Sequence, residues 1–208
     1  MSQKETISVT DQIKTKYAII TVCAVIAATF RIVRSDLGVP PNFELVTPVS
    51  FLSVFFLRTR YTAFIPLLIT IISDAFLGNT TVALFTWSAW IIIGTFFSRF
   101  QGRSHHLESI SIGKGAAISS LWVSGSTLFF YLWTNAGVWV LHRGTFYSAG
   151  LDGLIASYIA GLPFLRNQLL GNIAVTPLLL LLFGFLLQNK SSNCQFGIGP
   201  IYQFEQLK

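Results

Sequence analysis

Polar and apolar positions along this chain alternate in long blocks, with six apolar runs separated by short segments that are polar or rich in proline and glycine. An α-helix of about 20 apolar residues is long enough to cross the hydrocarbon core of a bilayer. We therefore predict an all-α fold, a bundle of six membrane-spanning helices. The predicted helices cover residues 17–33, 48–57, 61–77, 81–97, 115–133 and 163–187.

Breaks in the apolar pattern set the predicted boundaries. Gly38, Pro40 and Pro41 end the first helix, because proline removes a backbone donor and disfavours a helical residue before it. Residues 151–160 are apolar but too short to span, so they predict a short extra helix, surface-lying or re-entrant, before the last span. Pro163 suits the first turn of that last span.

Composition and charge favour a membrane domain with both termini in the cytoplasm. The chain is 52% hydrophobic and 11% charged, whereas soluble domains are about 25% charged. With a cytoplasmic N-terminus, ten Lys and Arg side chains lie inside and four outside, as the positive-inside rule requires. This rule accounts for the net charge of +6, so a nucleic-acid partner is not predicted. The domains are a tail at 1–16, a membrane domain at 17–188 and a second tail at 189–208.

The first apolar run has a second reading, as a secretory signal. A charged start followed by a hydrophobic segment fits both. Arg31 and Arg34 follow the run where a signal would have small residues for cleavage. We therefore interpret it as the first span.

Chemistry-bearing side chains concentrate at the outer end of the predicted bundle. Ionisable groups at membrane depth are unfavourable unless they pair or bind a ligand. A helix N-terminus after Pro163 also favours an anionic or carbonyl group. The candidate substrate-binding residues are Arg31, Asp74, Trp133, Asn135, Trp139, Arg166 and Asn167.

Structural alternatives stand beside each of these candidates. Asp74 can form an internal salt bridge with Arg31 or Arg166 that only fixes helix packing. The Arg166 side chain can instead extend to the interface. Trp133 and Trp139 can belong to an ordinary aromatic belt at the membrane surface.

Catalytic and metal-binding patterns do not occur in the sequence, so we expect no enzymatic activity, cofactor or metal. There is no Walker A loop, no Gly-x-Ser-x-Gly, no His-Glu-x-x-His and no pair of carboxylates on one helix. His105 and His106 are adjacent and cannot share a helix face. Cys23 and Cys194 lie too far apart in the predicted topology for a disulfide.

Four stretches carry a resemblance to a known family. They read Pro-Asn-Phe at 41–43 with Thr-Pro-Val at 47–49, Pro-Leu at 66–67 through Ser-Asp at 73–74, Tyr-Leu-Trp-Thr-Asn-Ala-Gly-Val-Trp at 131–139, and Ala-Gly-Leu-Pro-Phe at 160–164 with Arg-Asn at 166–167. From about residue 31 to 176 the chain resembles a family of uncharacterised bacterial membrane proteins described only as transport proteins. That family is similar to the substrate-binding S components of energy-coupling-factor (ECF) vitamin transporters.

The resemblance implies a function and partners. It implies a pocket in the outer half of a six-helix bundle in the inner membrane, and a membrane coupling protein with two ATPases. That partner docks on an Ala-x-x-x-Ala face of the first helix, which Ala24 and Ala28 match. In one departure, Asn172 stands where an acidic residue is more usual. We expect a substrate-binding subunit that captures a small polar or vitamin-like molecule outside; the alternative is a membrane scaffold or assembly factor with purely structural ion pairs.

Overall fold

The computed structural model describes residues 3–57, 59–78, 81–101 and 112–188, and over these residues the fold is all-α. Six α-helices and one 3₁₀ helix follow each other along these described ranges. They are α1 (Gln3–Val33), α2 (Val46–Leu57), the 3₁₀ helix (Arg60–Phe64), α3 (Ile65–Leu77), α4 (Ala83–Gln101), α5 (Ile112–His142) and α6 (Leu151–Gln188). The six apolar runs thus all contain a helix, as predicted.

A short, enclosed helix forms the centre of the bundle. α2 has 12 residues, about 18 Å at 1.5 Å per residue, and it contacts α1, α3, α5, α6 and the 3₁₀ helix. Val46, Val49 and Leu52 are buried, and so are the hydroxyls of Ser50 and Ser53, which donate to carbonyls of α2 itself. The sequence predicted a barely spanning helix here. The structure surrounds it with longer helices, so its length need not match a bilayer.

Two apolar clusters make the core. The larger one joins α1, α2, α3 and α4 through Ala27, Val49, Ile69, Trp90 and Ile93, together with Val46 at the start of α2. The smaller one lies towards the other end of α2, where Ile20, Leu52, Leu57 and Phe183 meet. The polar residues that line the site described below sit beyond the larger cluster.

α5 and α6 are longer than the sequence predicted. α5 continues to His142, and residues 151–160 and 163–187, predicted as separate elements, form the single helix α6 with Pro163 inside it. Pro163 removes one helical donor, but neighbouring helices can satisfy the loosened backbone of such a break. Here the Tyr131 hydroxyl donates to the Tyr158 carbonyl oxygen at 2.6 Å, one residue before the carbonyl that Pro163 leaves without its donor.

Within the described ranges, two helices are long and apolar enough to cross a membrane. Ile13–Val33 has a mean hydropathy of 1.8 and Leu151–Phe183 a mean hydropathy of 1.3, and Tyr61–Leu77 is a shorter apolar stretch. Only 11% and 22% of the two long segments is buried inside the protein. Most of their side chains therefore lie on the surface of the bundle, while Ile20, Ala27 and Phe183 belong to its core.

Candidate functional site: a polar cavity at one end of the bundle

A cavity of about 380 Å³ opens where α1, α3 and α5 end and where α4 and α6 begin. Small-molecule sites typically have volumes of about 300–1,000 Å³. Its polar lining comprises Arg31, Arg34, Asn42, Glu44, Thr70, Thr86, Tyr131, Thr134, Asn135, Tyr147, Ser157 and Gln168. Its apolar wall includes Val46, Val82, Trp90, Phe130, Val138, Phe164 and Leu165. The helix ends thus bring polar side chains from distant parts of the chain to one place.

Arg31 is held by an internal ion pair. Its Nη1 atom lies 2.6 Å from Asp74 Oδ1 and also donates to the Ser73 hydroxyl. The other carboxylate oxygen of Asp74 accepts from Trp87 Nε1 at 2.8 Å. Asp74 is buried and does not line the cavity, whereas Arg31 does. Asp74 therefore neutralises and positions Arg31 from behind, and the salt-bridge alternative considered for Asp74 is realised with Arg31.

Glu44 is a second buried carboxylate and sits at the start of α2. Its Oε2 atom accepts from the backbone N–H of Thr47 at 2.9 Å, and its Oε1 atom accepts from the Thr47 hydroxyl. This N–H is one of the first-turn donors that a helix cannot satisfy itself, and a negative charge is favourable there. Gln168 Nε2 and Asn172 Nδ2 also donate to Oε1, at 3.4 and 3.3 Å. Both oxygens of Glu44 are therefore engaged.

The Glu44 network continues into the interior through Asn172. Asn172 Nδ2 donates to the Thr127 hydroxyl at 2.9 Å, and that hydroxyl donates to the Val123 carbonyl oxygen at 2.8 Å. Asn172 Oδ1 and the Thr176 hydroxyl are buried without a hydrogen-bond partner among the described residues. The oxygens of Glu44 therefore both have donors, whereas two buried polar atoms further along α6, on Asn172 and Thr176, have no partner among the described residues.

Arg34 differs from Arg31 in its surroundings. It lines the same cavity and is half-buried, but no side-chain hydrogen bond or ion pair joins it to the described part of the chain. Burial lowers the pKa of Arg34, repulsion from Arg31 lowers it further, and the Glu44 carboxylate acts in the opposite direction. The Arg34 guanidinium therefore faces the cavity with its donors free of carboxylate contacts.

Residues 11–194 match the model of a protein family, DUF6580, a family of unknown function. The chain belongs to that family. No curated protein and no solved structure matches the chain. Membership in DUF6580 covers most of the bundle, including every residue of the cavity.

Three of the residues proposed from the sequence meet at the cavity of this DUF6580 chain. Arg31 and Asn135 line it, and Asp74 holds Arg31. Asn135 Nδ2 donates to the Tyr131 carbonyl oxygen of its own helix at 2.8 Å. Its side chain packs on Gly161 of α6, where a Cβ atom would collide with the amide. Asn135 thus fills the contact between α5 and α6 while facing the cavity.

The other four candidates lie outside the lining. Trp133 Nε1 donates to the Ser88 hydroxyl at 2.9 Å, and Trp139 Nε1 donates to the Ser148 carbonyl oxygen at 3.0 Å. Asn167 Nδ2 donates to the Pro41 carbonyl oxygen at 3.1 Å, which fixes the loop before Glu44 to α6. The Arg166 side chain is exposed. Trp133, Trp139 and Asn167 thus brace the elements around the cavity.

Four residues that line the cavity were not among the candidate substrate-binding residues of the sequence analysis: Arg34, Glu44, Tyr131 and Gln168. A signal for Glu44 was present, because an acidic residue three positions before Thr47 precedes an apolar run and such a residue can satisfy first-turn donors. The predicted topology brings Arg34 and Glu44 to the outer face with other polar residues, but nothing in the sequence singles out Arg34 as a ligand contact. Nothing in the local pattern distinguishes Gln168 from a polar residue at the helix surface.

The small residues of α1 pack inward. Ala24 and Ala28 lie against the larger apolar cluster, while Val22, Val25 and Ile26 are exposed by 58%, 60% and 53%. The Ala-x-x-x-Ala pattern therefore serves close packing within the bundle. Docking of a partner on this helix remains a prediction.

Among the described residues, no three His, Cys, Asp or Glu side chains are grouped as metal ligands would be. Cys23 is a free, half-buried thiol. His105, His106, Cys194 and the predicted tail at 189–208 lie outside the described residues.

Proposed function

We propose that the protein is a multi-pass membrane protein that captures a small polar or vitamin-like molecule at the outer face for uptake. The observation that carries this proposal is the cavity of about 380 Å³ at one end of the bundle, whose lining combines Arg31, Arg34 and Asn135 with aromatic rings. A concave, mostly apolar site with a few convergent polar groups is typical of small-molecule binding.

Exposed apolar side chains support a bilayer around the whole bundle. Beyond the two long apolar segments, Phe76 of α3, Leu84 of α4 and Leu121 of α5 are exposed by 73%, 67% and 74%. Large exposed apolar side chains thus occur on α1, α3, α4, α5 and α6, as expected of a bundle surrounded by lipid. The 3₁₀ helix and α3 together extend about 30 Å, the thickness of the hydrocarbon core.

In this proposal the chain binds and does not catalyse. The cavity takes up its ligand from outside, and a separate membrane coupling protein with two ATPases, as in the S components that the sequence resembles, drives its release inside. The exposed Val22, Val25 and Ile26 of α1 offer an apolar strip for such a partner within the membrane. The protein is proposed to reside in the inner membrane with both termini in the cytoplasm.

The second candidate function is a membrane scaffold or assembly factor. The Arg31–Asp74–Trp87 contacts favour it, because they close on themselves and need no ligand. A scaffold would keep the ion pair solely for helix packing and would form stable complexes with other membrane proteins without a bound small molecule.

Native mass spectrometry of the purified full-length protein tests the first proposal against the second. We expect the wild type to retain a small molecule, Asn135→Leu to lose it, and Asn167→Leu to keep it. The two variants make the same chemical change, but only Asn135 lines the cavity. Retention that is equal in both variants, or a wild type that carries only protein partners and no small molecule, would overturn the proposal in favour of the scaffold.

A further inference from the structure

The two arginines of the cavity are satisfied very differently, and this difference indicates what the cavity accepts. Arg31 has Asp74 at 2.6 Å and the Ser73 hydroxyl as partners. Arg34 has neither a carboxylate nor a hydroxyl within hydrogen-bond distance in the described ranges. A guanidinium has five N–H donors in a fixed fork, so the donors of Arg34 are available to water or to a ligand in the cavity.

Glu44 does not form an ion pair with Arg34 as Asp74 does with Arg31. It lines the same cavity and carries a negative charge, but no ion pair joins it to Arg34. Its oxygens accept from Thr47, Gln168 and Asn172 instead. The Glu44 oxygens therefore have few lone pairs left to accept a hydrogen bond from Arg34 or from a cationic group of a ligand.

Besides the arginines, the cavity is lined by aromatic and aliphatic side chains. The ring centroids of Trp90 and Phe130 lie 5.0 Å apart, and the two ring planes make an angle of 40°. Phe164, Val138 and Leu165 complete this apolar wall. Such a surface suits the flat or branched apolar body of a ligand, since aromatic faces bury large areas at low entropic cost.

We infer that the cavity binds a small organic oxyanion, a carboxylate or phosphate monoanion on an apolar body, with Arg34 as the residue that contacts the oxyanion. This inference rests on the proposed function and names the class of its ligand. A guanidinium binds such oxygens with two parallel N–H···O bonds, so Arg34 supplies both affinity and orientation. Arg31, whose charge is paired with Asp74, lines the same cavity, so Arg34 is the arginine there without an ion-pair partner among the described residues.

Calorimetric titration of the full-length protein in phosphatidylcholine nanodiscs tests the inference, with benzoate as the probe and benzamide as its uncharged isostere. We expect benzoate to bind more tightly than benzamide, and Arg34→Gln to weaken benzoate about tenfold or more while benzamide is unaffected. Arg34→Lys should lie between, because it keeps the charge but loses the fork. Arg143→Gln is the matched control, since Arg143 is exposed, lies over the Trp139 ring and is outside the lining.

Thermal unfolding of the variants separates binding from folding. Arg34→Gln should melt close to the wild type, because it loses no ion pair, and the loss of attraction to Glu44 is offset by relief of charge burial and of repulsion from Arg31. A lower melting temperature together with unchanged benzoate affinity would assign Arg34 a structural role and overturn the inference. Equal binding of benzoate and benzamide, or no benzoate binding, would overturn it as well.

Nanodiscs that contain phosphatidylglycerol distinguish the source of the oxyanion. If phosphatidylglycerol competes with benzoate in the wild type but not in Arg34→Gln, the oxyanion site stands and its occupant is a lipid headgroup, which overturns capture of a soluble molecule. If an uncharged molecule is retained in native mass spectrometry, capture stands and the oxyanion inference fails. The two proposals therefore fail in different experiments.

Discussion

Two buried carboxylates near the cavity are stabilised by different means. Asp74 pairs with a cation, whereas Glu44 is surrounded by neutral donors at the start of a helix. An isolated charge in an apolar interior is very unfavourable, and both a counter-ion and several hydrogen bonds can offset that cost. The charge of Arg31 is therefore balanced by Asp74, whereas the charge of Glu44 is stabilised by donors from both α2 and α6.

Asp74→Ala should lower stability, because it leaves the Arg31 guanidinium without its counter-ion and Trp87 Nε1 without an acceptor. A fully buried pair loses about 3–5 kcal/mol when one partner is removed. The Arg31 side chain is 20% exposed, so we expect about 2–3 kcal/mol here. The melting temperature in detergent measures the loss. Arg31→Met combined with Asp74→Ala should recover much of it, and an unaltered melting temperature for Asp74→Ala alone would contradict the role of the pair.

A second residue-scale prediction concerns the two threonines around Asn172. Thr176→Val removes a buried hydroxyl that has no partner in the described structure, so it should leave stability unchanged or raise it by about 1 kcal/mol. Thr127→Val removes the acceptor of Asn172 Nδ2 and should lower stability by about 1–2 kcal/mol. Thermal unfolding of both variants provides the comparison. A larger loss for Thr176→Val would mean that its hydroxyl has a partner that the protein atoms do not supply.

At the scale of elements, the contact between α5 and α6 closes one side of the cavity. These two helices pack together more extensively than any other pair described. Gly161 permits the approach, because any larger side chain there meets Asn135, and Gly137 similarly admits the Phe85 ring of α4. The positions of these glycines therefore decide how closely the cavity-forming helices approach one another.

Gly161→Ala and Gly125→Ala should have opposite effects. In Gly161→Ala the new Cβ collides with Asn135, so stability should fall by about 1–3 kcal/mol and the cavity should change shape. In Gly125→Ala the Cβ has open space, and the better helix propensity of alanine should raise stability by about 0.5–1 kcal/mol. Melting temperatures of the two variants test this, and destabilisation of the same size in both would show that packing at Gly161 is not special.

Most helices could be predicted from the apolar runs, but their depth in the bundle and their full length could not. α1 ended at the predicted residue, Val33, where a turn with Gly38 at positive φ follows. α6, by contrast, runs through Pro163 without ending there. The burial of α2 depends on which helices surround it, and its own apolar sequence fits a lipid-facing position equally well. The pairing of Arg31 with Asp74 was foreseen as one option, while the contribution of Arg34 and Gln168 depends on side-chain directions that no local pattern specifies.

At the scale of the whole molecule, the proposed topology places the end of the bundle that carries the cavity outside the cell. Four arginines, including Arg31 and Arg34, lie on that side against the positive-inside rule. The structure gives two of them a place in the cavity. Their location outside the cytoplasm follows from the proposed six spans and is open to direct measurement.

Single-cysteine labelling in intact bacterial cells checks this topology. In a background without Cys23 and Cys194, Thr145→Cys in the connection between α5 and α6 should react with a membrane-impermeant maleimide. Tyr61→Cys in the 3₁₀ helix, at a position exposed by 75%, should react only after the membrane is permeabilised. Labelling of both positions in intact cells, or of Tyr61→Cys alone, would contradict six spans with cytoplasmic termini.

The enclosed position of α2 has a consequence for how the chain is made. α2 leaves the ribosome second, but α6, which covers it and donates to Glu44 through Gln168 and Asn172, leaves last. Until then the Glu44 carboxylate and the start of α2 lack these donors. A chain that stops before α6 lacks part of the packing around α2, so we expect it to be degraded instead of accumulating as a smaller folded protein.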